Sequence, residues 1–96
     1  MSDPKTVLLV EDNEDNRIVY ATMLEHFGYA VVETANGEDA VRIAGTRKPD
    51  LILMDISIPG IDGWTAAARI RENPDTAGIP VVAVTAHALQ IGRAHV

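Results

Sequence analysis

A chain of 96 residues with 47% hydrophobic content is long enough for one small domain and too apolar to be disordered. It contains no cysteine, which excludes disulfides, thiolate metal sites and a cysteine nucleophile. Its formal net charge of −6 argues against nucleic acid as a direct partner, because phosphate backbones select basic surfaces.

The apolar run Thr6–Val10 reads as a first strand. Tyr20, Met23, Leu24 and Phe27 then recur at i, i+3, i+4 and i+7, which predicts a helix burying those four, with Gly28 as its stop. Ala30–Thr34 is the second strand. Asn36 is the predicted N-cap of a second helix, with Asp39 in a capping-box position and Ala40, Val41 and Ala44 as its inner face. Gly45 and Pro49 are expected to close it. Residues 51–54 form a third strand. A third helix over about 62–71 buries Gly63, Ala66, Ala67 and Ile70 and ends before Asn73-Pro74. Val81–Val84 is the fourth strand, and residues 85–91 read as the first turns of another helix.

Strands alternating with helices imply right-handed crossovers and a parallel sheet, so the fold class is α/β. Phe27, Trp64, Tyr20 and Tyr29 are the whole aromatic complement, which points to an aliphatic core. The chain reads as a single domain over 1–96, incomplete at its C-terminus, with 92–96 as a candidate non-native tail. No apolar stretch is long enough to span a bilayer, and residues 1–6 lack the apolar run of a secretory signal. A cytoplasmic location with no membrane partner is expected.

Two strands end in acid. Glu11 and Asp12 follow the first, Asp55 follows the third, and Asp62 lies seven residues beyond Asp55. Parallel strands deliver such residues to the carboxyl edge of the sheet, where α/β ligand sites form. Carboxylates gathered there repel, so a cation belongs among them. Hard oxygen ligands favour Mg²⁺, and Mg²⁺ commonly accompanies phosphate chemistry. Each residue also has a plainer reading. Glu11 or Asp12 could be a solvated N-cap of the following helix, as could Thr85 after the fourth strand. Asp62 reads as the cap of the third helix rather than as a ligand, and Trp64 as packing. His26, His87 and His95 have no metal-ligand spacing and read as surface residues. Asp55 stands apart, because it ends a strand expected to be buried on both faces and precedes a loop containing Pro59 and Gly60. Thr85 would bring its hydroxyl to the same edge, and the small Ala86 would leave room for an anion beside Asp55.

The segments Val7-Leu8-Leu9-Val10-Glu11-Asp12-Asn13, Leu51-Ile52-Leu53-Met54-Asp55-Ile56, Pro59-Gly60-Ile61-Asp62-Gly63 and Ile79-Pro80-Val81-Val82-Ala83-Val84-Thr85-Ala86 together resemble the receiver domain of two-component response regulators. The resemblance spans residues 5 to about 90. It is greatest to single-domain, cell-division-type regulators and to receivers attached to hybrid histidine kinases. It implies a doubly wound, flavodoxin-like parallel sheet of order 2-1-3-4-5, this chain ending before the fifth strand. It implies Asp55 as phosphoryl acceptor, Glu11 and Asp12 as the acidic pair for Mg²⁺ joined by the Ser57 backbone carbonyl, and Thr85 as switch hydroxyl. Ser57 and His87, each two residues past a site residue, would flank the path of attacking water and tune dephosphorylation. The implied partners are a histidine kinase or histidine phosphotransferase and a downstream protein target.

The family's lysine-proline segment has no counterpart, since Lys48 is the last lysine in the sequence. A phosphorylation-independent interaction module is therefore one alternative. A Mg²⁺-dependent aspartyl-phosphate phosphatase is another, but such enzymes carry a general acid two residues after the nucleophile, where this chain has Ser57. The chain is accordingly read as a signalling domain and not an enzyme. An open outer edge on the fourth strand would be a template for a homodimer.

Overall fold

Val7, Leu8, Leu9 and Val10 are completely buried, which requires neighbours on both edges of the strand and cover on both faces. The computed structural model, which describes residues 3–56, 58 and 60–84, supplies both. This strand, β1 (Thr6–Val10), lies in parallel between β2 (Ala30–Thr34) and β3 (Leu51–Asp55). The fourth strand, β4 (Val81–Val84), joins β3 in parallel, giving the order β2-β1-β3-β4. The crossovers are α1 (Glu14–His26), α2 (Gly37–Arg47) and α3 (Gly63–Glu72). This is the doubly wound α/β arrangement expected.

Side chains alternate across a strand, so Leu8 and Val10 share a face with their neighbours Ile52 and Met54. That face packs against Ala40 and Ala44 of α2 and Ala66 and Ile70 of α3, with Ile58 closing the cluster. Alanine at three of those four helix positions lets the helices lie close to the sheet. β3 is less enclosed than expected, with Leu51 and Leu53 only half-buried.

Local signals set the helix ends. Asn36 Oδ1 accepts from the Asp39 N–H at 2.8 Å, and the Asn36 side-chain amide returns a bond to the Asp39 carboxylate at 3.2 Å. Asp62 Oδ1 accepts from the Thr65 N–H at 2.8 Å, so Asp62 caps α3 as expected. At the end of α1, Gly28 adopts φ +93° while its N–H donates to the Glu25 carbonyl and that of Tyr29 to the Leu24 carbonyl. Both bonds define a Schellman stop. Beyond α3, Thr76 is buried and its hydroxyl donates to the Ile70 carbonyl at 2.6 Å, satisfying a helix-terminal acceptor on the way to β4.

Three expectations need correction. The buried side of α1 is not Tyr20, Met23, Leu24 and Phe27. Its inward line is Arg17, Tyr20, Ala21 and Leu24, whereas Met23 is 53% and Phe27 73% exposed. Small Ala21, fully against the sheet, decides which side faces in. Gly45 does not close α2, which continues to Arg47 and stops at Lys48 in the left-handed region (φ 45°) just before Pro49. Trp64 is 64% exposed and does not pack in the core. With Met54, Ile56, Ala67, Arg71 and Val81 it lines a shallow hollow of about 120 Å³. The expectations for residues 85–91 and for the tail 92–96 lie outside the described residues.

Candidate functional site at the carboxyl edge of the sheet

Val10 is registered against Met54, so the residues that follow each, Glu11 and Asp55, emerge side by side at the carboxyl edge. Glu11 is 2% and Asp55 4% exposed, while the neighbouring Asp12 is open to solvent. One carboxylate oxygen from each of the three lies within 4.8 Å of the others. Three carboxylate oxygens gathered at one point make an all-oxygen donor set, the kind that suits a small hard cation such as Mg²⁺. Asp62 is not part of the cluster. Its carboxyl, exposed, is held below the ordinary range mainly by the Thr65 N–H.

Glu11 is fixed by groups from several elements. Its N–H donates to the Thr34 carbonyl of β2 at 3.0 Å. Its carbonyl accepts from Arg17 Nη1 of α1 at 2.9 Å. Oε1 of its side chain accepts from the Asn13 N–H at 3.3 Å and from Asn16 Nδ2 at 3.4 Å. Neither Glu11 nor Asp12 caps α1. That role falls to Asn13, whose Oδ1 accepts from the Asn16 N–H at 2.9 Å. The two acids are thereby left to face the cluster.

Burial, the hydrogen bond to Asp55 and the negative charge of Asp55 push the Glu11 carboxyl from 4.5 up to about 7, with Asn16 and Asn13 opposing the shift. Below neutral pH Glu11 is thereby biased toward its protonated form, and a cation bound among the carboxylates would displace that proton.

Asp55 is the last residue of β3, and the segment after it is held from both sides. The Ile56 N–H donates to the Val84 carbonyl at 3.2 Å and the Gly63 N–H to the Ile56 carbonyl at 3.4 Å. Gly63 lies so close that a methyl group there would sit 2.6 Å from the Asp55 carbonyl oxygen. From α2, Glu38 Oε1 accepts from the Ile61 N–H at 3.4 Å, and Gly60, at φ +78°, lies against the same carboxylate.

The structure thus brings together Glu11, Asp12 and Asp55. Ser57, Thr85, Ala86 and His87 lie outside the described residues, as does His95. His26 is exposed, its ring edge-to-face with Phe27 at 5.6 Å, and belongs to no metal-ligand group among the described residues. Asn13, Arg17 and Glu38 were not singled out by sequence. Arg17 lies four residues before Ala21 and seven before Leu24 on the inward line of α1, a placement that only the observed facing of the helix reveals.

The chain matches the response regulator receiver domain family over residues 7–94. It is 40% identical over 87 residues to the polar-differentiation response regulator DivK of Brucella anthropi, an alignment covering 91% of this chain and 71% of that protein. DivK of Brucella ovis is 38% identical over 86 residues, covering 90% and 70% respectively. Among solved structures, the receiver domain of sensor histidine kinase PA1611 from Pseudomonas aeruginosa PAO1 has a magnesium ion coordinated in its active-site cleft. It is 42% identical, with a TM-score of 0.84 over 95% of this chain and 75% of that one. The N-terminal domain of a response regulator receiver protein from Methanoculleus marisnigri JR1 gives a TM-score of 0.82 at 38% identity, over 85% and 67%.

Proposed function

Because this chain belongs to the response regulator receiver domain family of two-component signalling, we propose that Asp55 is its phosphoryl acceptor and that Glu11, Asp12 and Asp55 hold Mg²⁺ beside it. The carrying observation is the convergence of these three carboxylates within 4.8 Å, with Asp55 at the end of a paired strand. In this reading an Asp55 carboxylate oxygen attacks the phosphorus of a phosphohistidine on a kinase or phosphotransferase. The new O–P bond forms as the P–N bond breaks, and the electron pair leaves with the imidazole. Bound Mg²⁺ supplies charge neutralisation for the approach of phosphoryl oxygens to a carboxylate. Glu11 holds its oxygen in place through the contacts of its peptide and carboxylate described above.

The phosphoryl group adds about one unit of negative charge and strong acceptors at the carboxyl edge. Thr85, directly after β4, is the proposed switch hydroxyl, with the small Ala86 leaving room for the phosphoryl group beside Asp55. Ser57 is proposed to contribute its backbone carbonyl to the metal, and Ser57 and His87 to flank the path of hydrolytic water. The output is a change in contacts with a downstream protein in the cytoplasm, by stoichiometric transfer and not by turnover. Self-pairing through β4 is checked by sedimentation of both phosphorylation states.

Incubation with Mg²⁺ and acetyl phosphate, followed by intact mass, should show gain of one phosphoryl group. Asp55→Asn, or excess EDTA, should abolish the gain. Phosphorylation retained in either case would refute the assignment, and a parent that never acquires the group would favour a phosphorylation-independent interaction module.

A further inference from the structure

Glu11 is the first residue past β1, and its peptide is the point from which both Glu11 and Asp12 leave the sheet. Its two backbone polar groups are gripped from different elements. The N–H is tied to the Thr34 carbonyl on β2 at 3.0 Å, and the carbonyl to Arg17 Nη1 on α1 at 2.9 Å. Arg17 Nε pairs at the same time with Glu33 Oε1 at 3.3 Å. Glu33 and Thr34 are consecutive residues of β2. One two-residue stretch thus supports both ends of Glu11, one end directly and the other through the arginine.

We infer that Arg17 is a positioning residue for the metal site, its guanidinium bridging Glu33 and the Glu11 carbonyl so that the Glu11–Asp12 peptide cannot rotate and the two carboxylates stay aimed at Asp55. The inference rests on the Mg²⁺ site proposed above. An arginine side chain only 22% exposed on the inward line of a helix is costly unless its donors are used, and these two acceptors use them. The bridge needs two donors in fixed relative orientation, which a guanidinium has and a lysine ammonium does not. The role is geometric. Glu33 balances the charge of Arg17, and Arg17 is not among the groups that move the Glu11 carboxyl from its ordinary value. Without the bridge, the Glu11 carbonyl loses its partner and the peptide is free to turn, swinging Asp12 away from the cluster.

Mg²⁺ affinity measured by calorimetry on the unphosphorylated protein tests this. Arg17→Met should weaken Mg²⁺ binding about tenfold, as loss of a group supporting a metal ligand typically does. The Mg²⁺ concentration giving half-maximal phosphorylation by acetyl phosphate should rise by the same factor, with the rate at saturating Mg²⁺ unchanged. Arg17→Lys, which keeps the charge beside Glu33, should melt near the parent yet show most of the affinity loss. Glu33→Gln, which leaves the Glu11 carbonyl bond in place, should lose less affinity than Arg17→Met. Mg²⁺ affinities of Arg17→Met and Arg17→Lys within about twofold of a parent that binds Mg²⁺ would overturn the inference alone. A parent that binds no Mg²⁺ would overturn the inference and the proposed site together. If Arg17→Met does not fold, Arg17→Lys decides.

Discussion

Glu11 ties the pH response of the protein to its metal chemistry. A carboxyl raised from 4.5 to about 7 in the folded state is protonated there while its unfolded counterpart is already ionised. Between those two values the native state binds more protons, so this group's contribution to stability is greatest below about 4.5 and is lost as pH rises through about 7. Urea denaturation in EDTA should therefore show stability falling over that window. Glu11→Gln should flatten the fall and leave the metal-free protein more stable than its parent at pH 8, because a buried like-charge contact with Asp55 has gone. The same substitution should weaken Mg²⁺ binding, since an amide is a poorer ligand than a carboxylate. An unchanged pH slope in Glu11→Gln would show that another group carries the response. The acidic residues of this cluster were legible in the sequence because each follows a short apolar run, and strand direction fixes where such residues emerge. Their supports were not legible. Whether Glu11, Asp12 or Asn13 caps α1 depends on where the chain leaves the sheet, which no local pattern encodes.

Two glycines at different places in helices should respond in opposite directions to alanine. Gly45 lies inside α2 with nothing within 4 Å of where a methyl group would point. Gly45→Ala should raise stability by up to about 1 kcal/mol, the usual cost of an interior helix glycine. Gly63 opens α3, and its methyl group would meet the Asp55 carbonyl oxygen and the Ile56 Cα, each at 2.6 Å. Backbone cannot rotate aside as a side chain can, so Gly63→Ala should lower the melting temperature and disturb Asp55 as well. Thermal melts of the pair, with phosphorylation of Gly63→Ala, check both. Asn36→Ala should cost about 1 kcal/mol through loss of the α2 cap. The caps Asn36 and Asp62 could be read from sequence because a capping bond spans only three residues. The inward side of α1 could not. Ile18, Val19, Met23 and Phe27 put apolar residues on its outer side, all at least half exposed, so periodicity offered more than one stripe. The end of α2 was misread for a related reason, since Lys48 takes the left-handed turn that glycine usually supplies.

At the scale of the whole molecule, an ion bound only by the folded state should stabilise the protein by mass action. At 100 times its dissociation constant Mg²⁺ should add about 2.7 kcal/mol. Because the chain carries a net charge of −6, any salt relieves some repulsion. The comparison must therefore be with NaCl at matched ionic strength. Thermal unfolding should show a clear upward shift in Mg²⁺ over NaCl for the parent and a smaller one for Asp55→Asn. Equal shifts in the two salts would mean that screening alone is at work. The placement of β1 has a consequence for how such gains could be followed. Val7–Val10 have strand partners on both sides and no exposed surface, whereas β4 ends the sheet among the described residues with Val82 and Ala83 open to solvent. Amide hydrogens of β1 can meet deuterated water only when the whole sheet opens, while those of β4 need a local fluctuation. Deuterium uptake at β1 should then slow in proportion to the global stability conferred by Mg²⁺ or a phosphoryl group, making the central strand an isotopic gauge of the state of the carboxyl edge one residue away.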